Sequence, residues 1–285
     1  MAKEKRILVL DSTILNSVQK CGYYTFLSFV KHLRAAQTPE PFERGDLTHH
    51  ILENYYKTLK GGAKRLEAVE FAVAKGREKY PTLNMEVSDC EWVIQSFYQY
   101  SERWANDGLK VLEVEQPFMM KIYEDDDLIC YYSGKIDLIA ELPLIGVIPI
   151  DHKSRTRMNE ETLLNNQFMG YAIHTASNFV YVNEFGLQKT KPPEEKFRRI
   201  PLSYTDDLKA HWLNDIVKHW VRTLDYYLQE NIWPEQWNPY ICKNCIFADV
   251  CKSGTEDEKI RKLKMNYVES EPWDVTKALE GGIDD

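Results

Sequence analysis

Two aspartates fourteen residues apart, each at the end of a short apolar run, constrain this chain more than any other feature. Gly134-Lys135-Ile136-Asp137 leads into Leu138-Ile139-Ala140, and Val147-Ile148-Pro149-Ile150 leads into Asp151-His152-Lys153. Ile136, Leu138 and Ala140 alternate with Lys135, Asp137 and Ile139, the pattern of a strand packed on one side, and the second run reads as a short buried strand. Side chains repeat with period two along a strand, so Asp151 and Lys153 share a face and set a cation beside a carboxylate. Two neighbouring strands would then present two hard oxygen donors, which suit Mg²⁺ or Mn²⁺ and phosphodiester chemistry. Lys153 is the candidate to orient water and to steady negative charge in the transition state. Taken singly, an Asp-x-Lys is a common strand end, and it is the conjunction that carries the reading.

Further along, Gln167 and Tyr171 are four apart on a helix predicted from about Glu160 to Ala176, and so share one face. Upstream, Gly45-Asp46-Leu47-Thr48-His49 opens an amphipathic stretch through Ile51, Leu52 and Tyr55. Between them, Val111-Leu112-Glu113-Val114-Glu115-Gln116-Pro117-Phe118 reads as one more strand with two acidic candidates. In this order the motifs resemble the PD-(D/E)XK nuclease superfamily in its RecB-like branch. The resemblance implies an α/β fold, a restriction-endonuclease-like core whose mixed central sheet is flanked by helices. It implies a metal held by His49, Asp137, Asp151 and the main-chain carbonyl of His152, with Glu115, preferred to Glu113, as a further carboxylate. Lys153 would be the catalytic lysine, and Gln167 and Tyr171 would guide nucleic acid, helped by Arg155 and Arg157. A second basic group, Lys189, Lys191, Lys196, Arg198 and Arg199, reads rather as a solvated loop.

Six cysteines are present, three of them as Cys242-x2-Cys245-x5-Cys251. Thiolates this close in sequence suit one soft centre, and Cys21 is the candidate fourth ligand. One cysteine before the core and three after it resemble the iron-sulfur nucleases of the AddB type and the CRISPR-associated RecB-like nucleases, which implies a 4Fe-4S cluster with Zn²⁺ as the rival occupant. Cys90 and Cys130 have no partner at ligand spacing and read as small buried hydrophobes.

A net charge of −8 and a pI near 5.5 exclude a broad basic coat for nucleic acid, so any such contact is local. No apolar run is long enough for a signal peptide or a membrane span, so a cytoplasmic location is expected. No G-x-x-x-x-G-K-[ST] motor motif is present. The chain divides by content into a helical N-terminal region (1–108), a nuclease core (109–235), an iron-sulfur segment (236–252) and a charged, weakly ordered tail (253–285). The resemblance implies a DNA exonuclease or end-processing nuclease acting on single strands or frayed ends in recombination, repair or phage DNA metabolism. The alternatives are a CRISPR adaptation nuclease working with an integrase, and a non-catalytic DNA-binding scaffold. A separate helicase would supply strand separation, and a homo-oligomer would suit processive digestion.

Overall fold

The computed structural model describes residues 5–37, 40–155, 163–271 and 274–280. Among these, eight strands occur: β1 (Arg6–Leu10), β2 (Leu33–Ala35), β3 (Lys110–Glu124), β4 (Leu128–Leu142), β5 (Gly146–Arg155), β6 (Phe179–Gly186), β7 (Phe197–Ser203) and β8 (Tyr267–Glu269). The chain packs as two compact units, each discontinuous in sequence: residues 38–118 with 135–206, and residues 1–37 with 119–134 and 207–285. The four consecutive segments read from the sequence divide the chain by content, the units by packing. The fold is α/β, a mixed sheet flanked by helices, as in restriction-endonuclease-like cores.

In the unit of residues 38–118 and 135–206, β4 pairs antiparallel with β5, β5 parallel with β6, and β6 antiparallel with β7. Ile148 and Ile150 of β5 and Leu138 and Ala140 of β4 are buried, as their alternation requires. Pro149 is tolerated inside β5 because the ladder to β6 begins only at Ile150, after the missing N–H. Against this sheet pack three helices, Glu40–Lys60, Arg65–Lys79 and Val87–Arg103. The first buries Leu47, Ile51, Leu52, Tyr55 and Tyr56, a stripe at helical spacing that joins Val93, Ile94, Phe97 and Tyr100 in one core. Gly76 lets the second helix approach closely, since a Cβ there would stand 2.8 Å from Ile51 Cγ1. The first helix ends at Lys60, and Gly62 turns the chain with φ +87°.

The helix carrying Gln167 spans Asn166–His174 and starts later than expected, because Asn165 caps it by accepting from the Gln167 and Phe168 N–H groups. Residues 156–162, where the sequence placed its first turn, lie outside the described residues.

The other unit corrects two expectations. Arg6–Leu10, within the N-terminal region read as helical, is strand β1, parallel to β4 from Leu128 to Tyr132, with Arg6 held by both oxygens of Asp225 at 3.1 and 2.9 Å. The region after Ser253, expected to be weakly ordered, contains the helix Glu256–Asn266, capped by Thr255, and strand β8, which pairs antiparallel with β2. Tyr267 explains the order: its ring packs with Leu27, Phe247 and Val250, and its hydroxyl bonds Asp249 Oδ1 at 2.6 Å. Charge in the sequence hid this single aromatic anchor. Pro272 and Trp273, expected to pin the tail, lie outside the described residues.

Candidate active site

The ladder between β4 and β5 stops at Leu138↔Ile150, one residue short of both aspartates. Beyond that point the His152 N–H donates to Asp137 Oδ2 at 2.7 Å. His49, on the Glu40–Lys60 helix, brings Nδ1 to 3.6 Å from the same oxygen. Glu115 joins them from β3, where its φ of +55° is a left-handed conformation that costs energy for a residue with a Cβ. His49, Glu115 and Asp137 each offer a ligand atom, all within 4.8 Å of one another. Their neighbours have other partners: Asn54 Nδ2 lies 3.4 Å from His50 Nε2, and Glu113 pairs with Lys60 at 2.5 Å. The structure thus brings His49 and Glu115 together with Asp137, and neither His50 nor Glu113.

Asp151 is 1% exposed, and its Oδ2 is ion-paired with Lys153 Nζ at 2.7 Å. Burial, then the charges of Asp151 and Glu115, push the Asp137 carboxyl well above its usual range. Burial lowers the His49 imidazole, against the pull of Asp151, which keeps it neutral and able to ligate at pH 7. Two acids and a neutral imidazole packed this closely form a hard donor set short of positive charge.

Lys153 continues into a chain of bonds. Its Nζ donates to Gln167 Oε1 at 3.1 Å, Gln167 Nε2 donates to Tyr171 Oη at 2.8 Å, and Tyr171 Oη donates to the Lys135 carbonyl at 2.6 Å. The face shared by Gln167 and Tyr171 thus ties Lys153 to β4. Lys135, two residues before Asp137, pairs through Nζ with Glu115. Arg155 Nε lies 3.7 Å from the buried Glu184, which also holds Arg198 at 2.7 Å, and Arg157 lies outside the described residues. The second basic group is no solvated loop throughout: Lys196 is 1% exposed and bonded to Gln99, and Arg199 is buried against Asp107 at 2.7 Å.

Sequence reasoning missed a buried polar network behind the site. The His152 ring stacks on Tyr56, and Asn183, Tyr100 and Arg199 adjoin it. The signal was there in Val180-Tyr181-Val182-Asn183-Glu184-Phe185, where two polar residues interrupt an apolar strand.

In the other unit, Cys21, Cys242, Cys245 and Cys251 line one cavity of about 560 Å³. The Cys251 thiol is pushed up to about 11 by burial first and then by Glu235, Cys245, Cys21 and Cys242. All six cysteines are free, and Cys90 and Cys130 are fully buried, as small hydrophobes.

The sequence profile of the PD-(D/E)XK nuclease superfamily matches residues 12–252. The chain belongs to the PD-(D/E)XK nuclease superfamily. That match contains every group of the carboxylate site and all four clustered cysteines. Among solved structures, this nuclease is similar to a putative exonuclease from Eubacterium rectale, with 10% identity over 95% of this chain and 92% of that one at a TM-score of 0.44. It is also similar to SSO0001, with 12% identity over 90% of both chains and a TM-score of 0.39. LHK-Exo in complex with dAMP matches 65% of this chain and 95% of its own at 9% identity and a TM-score of 0.31. No curated protein matches the sequence. Among the described residues, no helix is long and apolar enough to cross a membrane.

Proposed function

We propose that this nuclease is a metal-dependent DNA exonuclease or end-processing enzyme acting on single-stranded or frayed ends. The observation that carries the reading is the convergence of His49, Glu115 and Asp137 within 4.8 Å, beside the buried Asp151–Lys153 pair. His49, Glu115, Asp137 and Asp151 would hold Mg²⁺ or Mn²⁺, with the His152 carbonyl as the further donor the family resemblance implies. A divalent cation there supplies charge neutralisation at the scissile phosphate and lowers the pKa of a coordinated water. Lys153, fixed between Asp151 and Gln167, positions the attacking water and steadies charge on the phosphate in the transition state. Tyr171 and Gln167 keep that ammonium in register, and Arg155, the last residue of β5, would meet the DNA backbone. The acidic surface elsewhere favours a thin, end-directed contact over coating of duplex DNA.

The four-cysteine cavity fits a 4Fe-4S cluster in a structural role. Its thiols come from opposite ends of the sequence and line one cavity, as the resemblance to iron-sulfur nucleases implies. Iron and sulfide assays with an absorbance band on the order of 400 nm test this part, and a colourless, zinc-loaded protein would refute it.

The test of activity is cleavage of end-labelled linear single-stranded DNA, blunt duplex and circular single-stranded DNA with Mn²⁺. Degradation of the linear single strand alone, absent in Asp151→Ala and Lys153→Ala, is the expected result. Cutting of the circle would overturn exonuclease action, and an inert native protein would leave only a binding scaffold.

A further inference from the structure

His152 sits between Asp151 and Lys153, so its side chain leaves the opposite face of β5. There it is 2% exposed, its ring 5.4 Å from that of Tyr56 and 8° from parallel. Its Nδ1 lies 2.8 Å from Asn183 Nδ2. The neighbours decide which way round the Asn183 amide stands. Arg199, a donor only, brings Nε to 3.4 Å from Asn183 Oδ1, while Asn183 Nδ2 donates to Tyr100 Oη at 2.7 Å. Nδ2 is therefore the donor to His152 as well, Nδ1 accepts, and the ring proton resides on Nε2. Arg199 is anchored in turn by Asp107 and by the Trp104 ring at 4.1 Å. The Tyr56 and Tyr100 hydroxyls, 2.5 Å apart, close the network.

This set of buried polar groups ends at a metal ligand. The His152 peptide N–H is bonded to Asp137 Oδ2 at the place where the β4–β5 ladder has already stopped, while β5 stays paired with β6, His152 opposite Asn183. Asn183 therefore meets His152 twice, through the strand register and through its side-chain amide at the ring. We propose that Asn183, oriented by Arg199 and Tyr100, is a positioning residue of the metal centre: it locks His152, whose peptide N–H aims the Asp137 carboxylate. The amide gives three buried polar groups, His152 Nδ1, the Tyr100 hydroxyl and Arg199 Nε, one shared partner, and an apolar residue at 183 would leave all three without it. The inference rests on the proposed metal site at His49, Glu115 and Asp137.

The test is Mn²⁺ binding to the full-length protein, followed by calorimetry and by thermal shift, for Asn183→Leu, Tyr100→Phe, Ile51→Val and Asp137→Ala. Native protein should show a saturable site that Asp137→Ala lacks. Asn183→Leu should bind Mn²⁺ about tenfold more weakly or worse, the range for lost outer partners of metal ligands, with KM for DNA unchanged. Tyr100→Phe should shift the affinity in the same direction by less, and it decides the matter if Asn183→Leu does not fold. Ile51→Val, in the same core, should lower the melting temperature and leave Mn²⁺ affinity alone. Native affinity in both Asn183→Leu and Tyr100→Phe overturns the positioning role, as does an equal loss in Ile51→Val. Native protein without Asp137-dependent binding is a different result, which removes the metal reading and this inference with it.

Discussion

The two candidate centres are held in opposite ways. The carboxylate site stands on long strands and a helix of 21 residues, and its side chains are braced by hydrogen bonds that need no ion. The cysteine site stands on short elements, beside the small core of Leu27, Phe247, Val250 and Tyr267. Cys21 caps a nine-residue helix, while Cys242 and Cys251 each end a helix of four residues, too short to persist alone. One centre is a scaffold of long elements in which three carboxyl groups crowd together. The other gathers thiols from distant parts of the sequence, which the proposed cluster would join. Metal should therefore matter for function in the first and for folding in the second.

Asp137→Asn tests the first half and should have the largest effect, abolishing cleavage by about a thousandfold or more, as loss of a principal charge-stabilising group does. The same change should raise the melting temperature of the metal-free protein near neutral pH. Burial, with Asp151 and Glu115, lifts the folded carboxyl above its unfolded value, so the native state holds the proton more tightly. The stability this contributes is full below the unfolded pKa and is lost as pH rises through the folded one. Asparagine removes that loss. Melting curves without metal across pH 4 to 8 and a Mn²⁺ titration check both signs, since Mn²⁺ must displace the proton and should bind more tightly as pH rises, on the order of tenfold per unit at most. A metal-free Asp137→Asn protein less stable than native would mean that the site is not charge-frustrated.

Cys21→Ser tests the second half. Cys21 and Cys242 lie about two hundred residues apart, and a cross-link over a loop of that size is worth about 5 kcal/mol in the chain-entropy account. For a protein of this size that is a fall of roughly 10 °C or more in melting temperature, with loss of the visible absorbance. Asp137→Asn should keep the absorbance. If Cys21→Ser melts with native protein, the cysteine centre is not the staple described.

Much of the difference was legible in the sequence, and what was not has a physical cause. Period-two alternation around Asp137 and Asp151 gave the strands to within two residues, and apolar spacing after Gly45 gave the helix of His49. Local pattern could not tell that Glu115 takes a positive φ, because a bulged conformation in a strand is set by its tertiary surroundings. Nor could it tell that Arg199 and Lys196 are buried: a basic run looks alike whether its partners are water or Asp107 and Gln99 from distant segments. β1 was missed for the same reason, since a four-residue apolar run next to charges shows no partner strand until β4 is in place.

Lys153→Ala comes next in size, a fall in kcat of about 10²–10³ with Mn²⁺ affinity within a few-fold of native, because the role proposed for Lys153 is toward water and phosphate and it is not a metal ligand. Lys153→Arg should recover part of this: its charge is retained, but a planar fork replaces the point charge that fits between Asp151 and Gln167. Equal loss of kcat and Mn²⁺ affinity in Lys153→Ala would place the lysine among the groups that shape the metal site.

The smallest effect probes how stiff the scaffold is. Alanine normally gains about 1 kcal/mol over glycine inside a helix. At Gly76 the new Cβ would stand 2.8 Å from Ile51 Cγ1 and 2.9 Å from Cδ1, and Ile51 is 1% exposed and has nowhere to go. Overpacking of this kind costs about 1–3 kcal/mol, so the clash should win and Gly76→Ala should melt a few degrees lower. Ile51→Val, which removes Cδ1, should be less harmful in the Gly76→Ala background than alone, a positive coupling readable from a double-mutant cycle. Ile51 is only two residues along the same helix from His49. If the strain is absorbed at Ile51, Mn²⁺ affinity in Gly76→Ala stays native while stability falls. If instead the helix backbone yields, His49 moves with it and the affinity drops, and the carboxylate centre would then be a softer frame than its hydrogen bonds suggest.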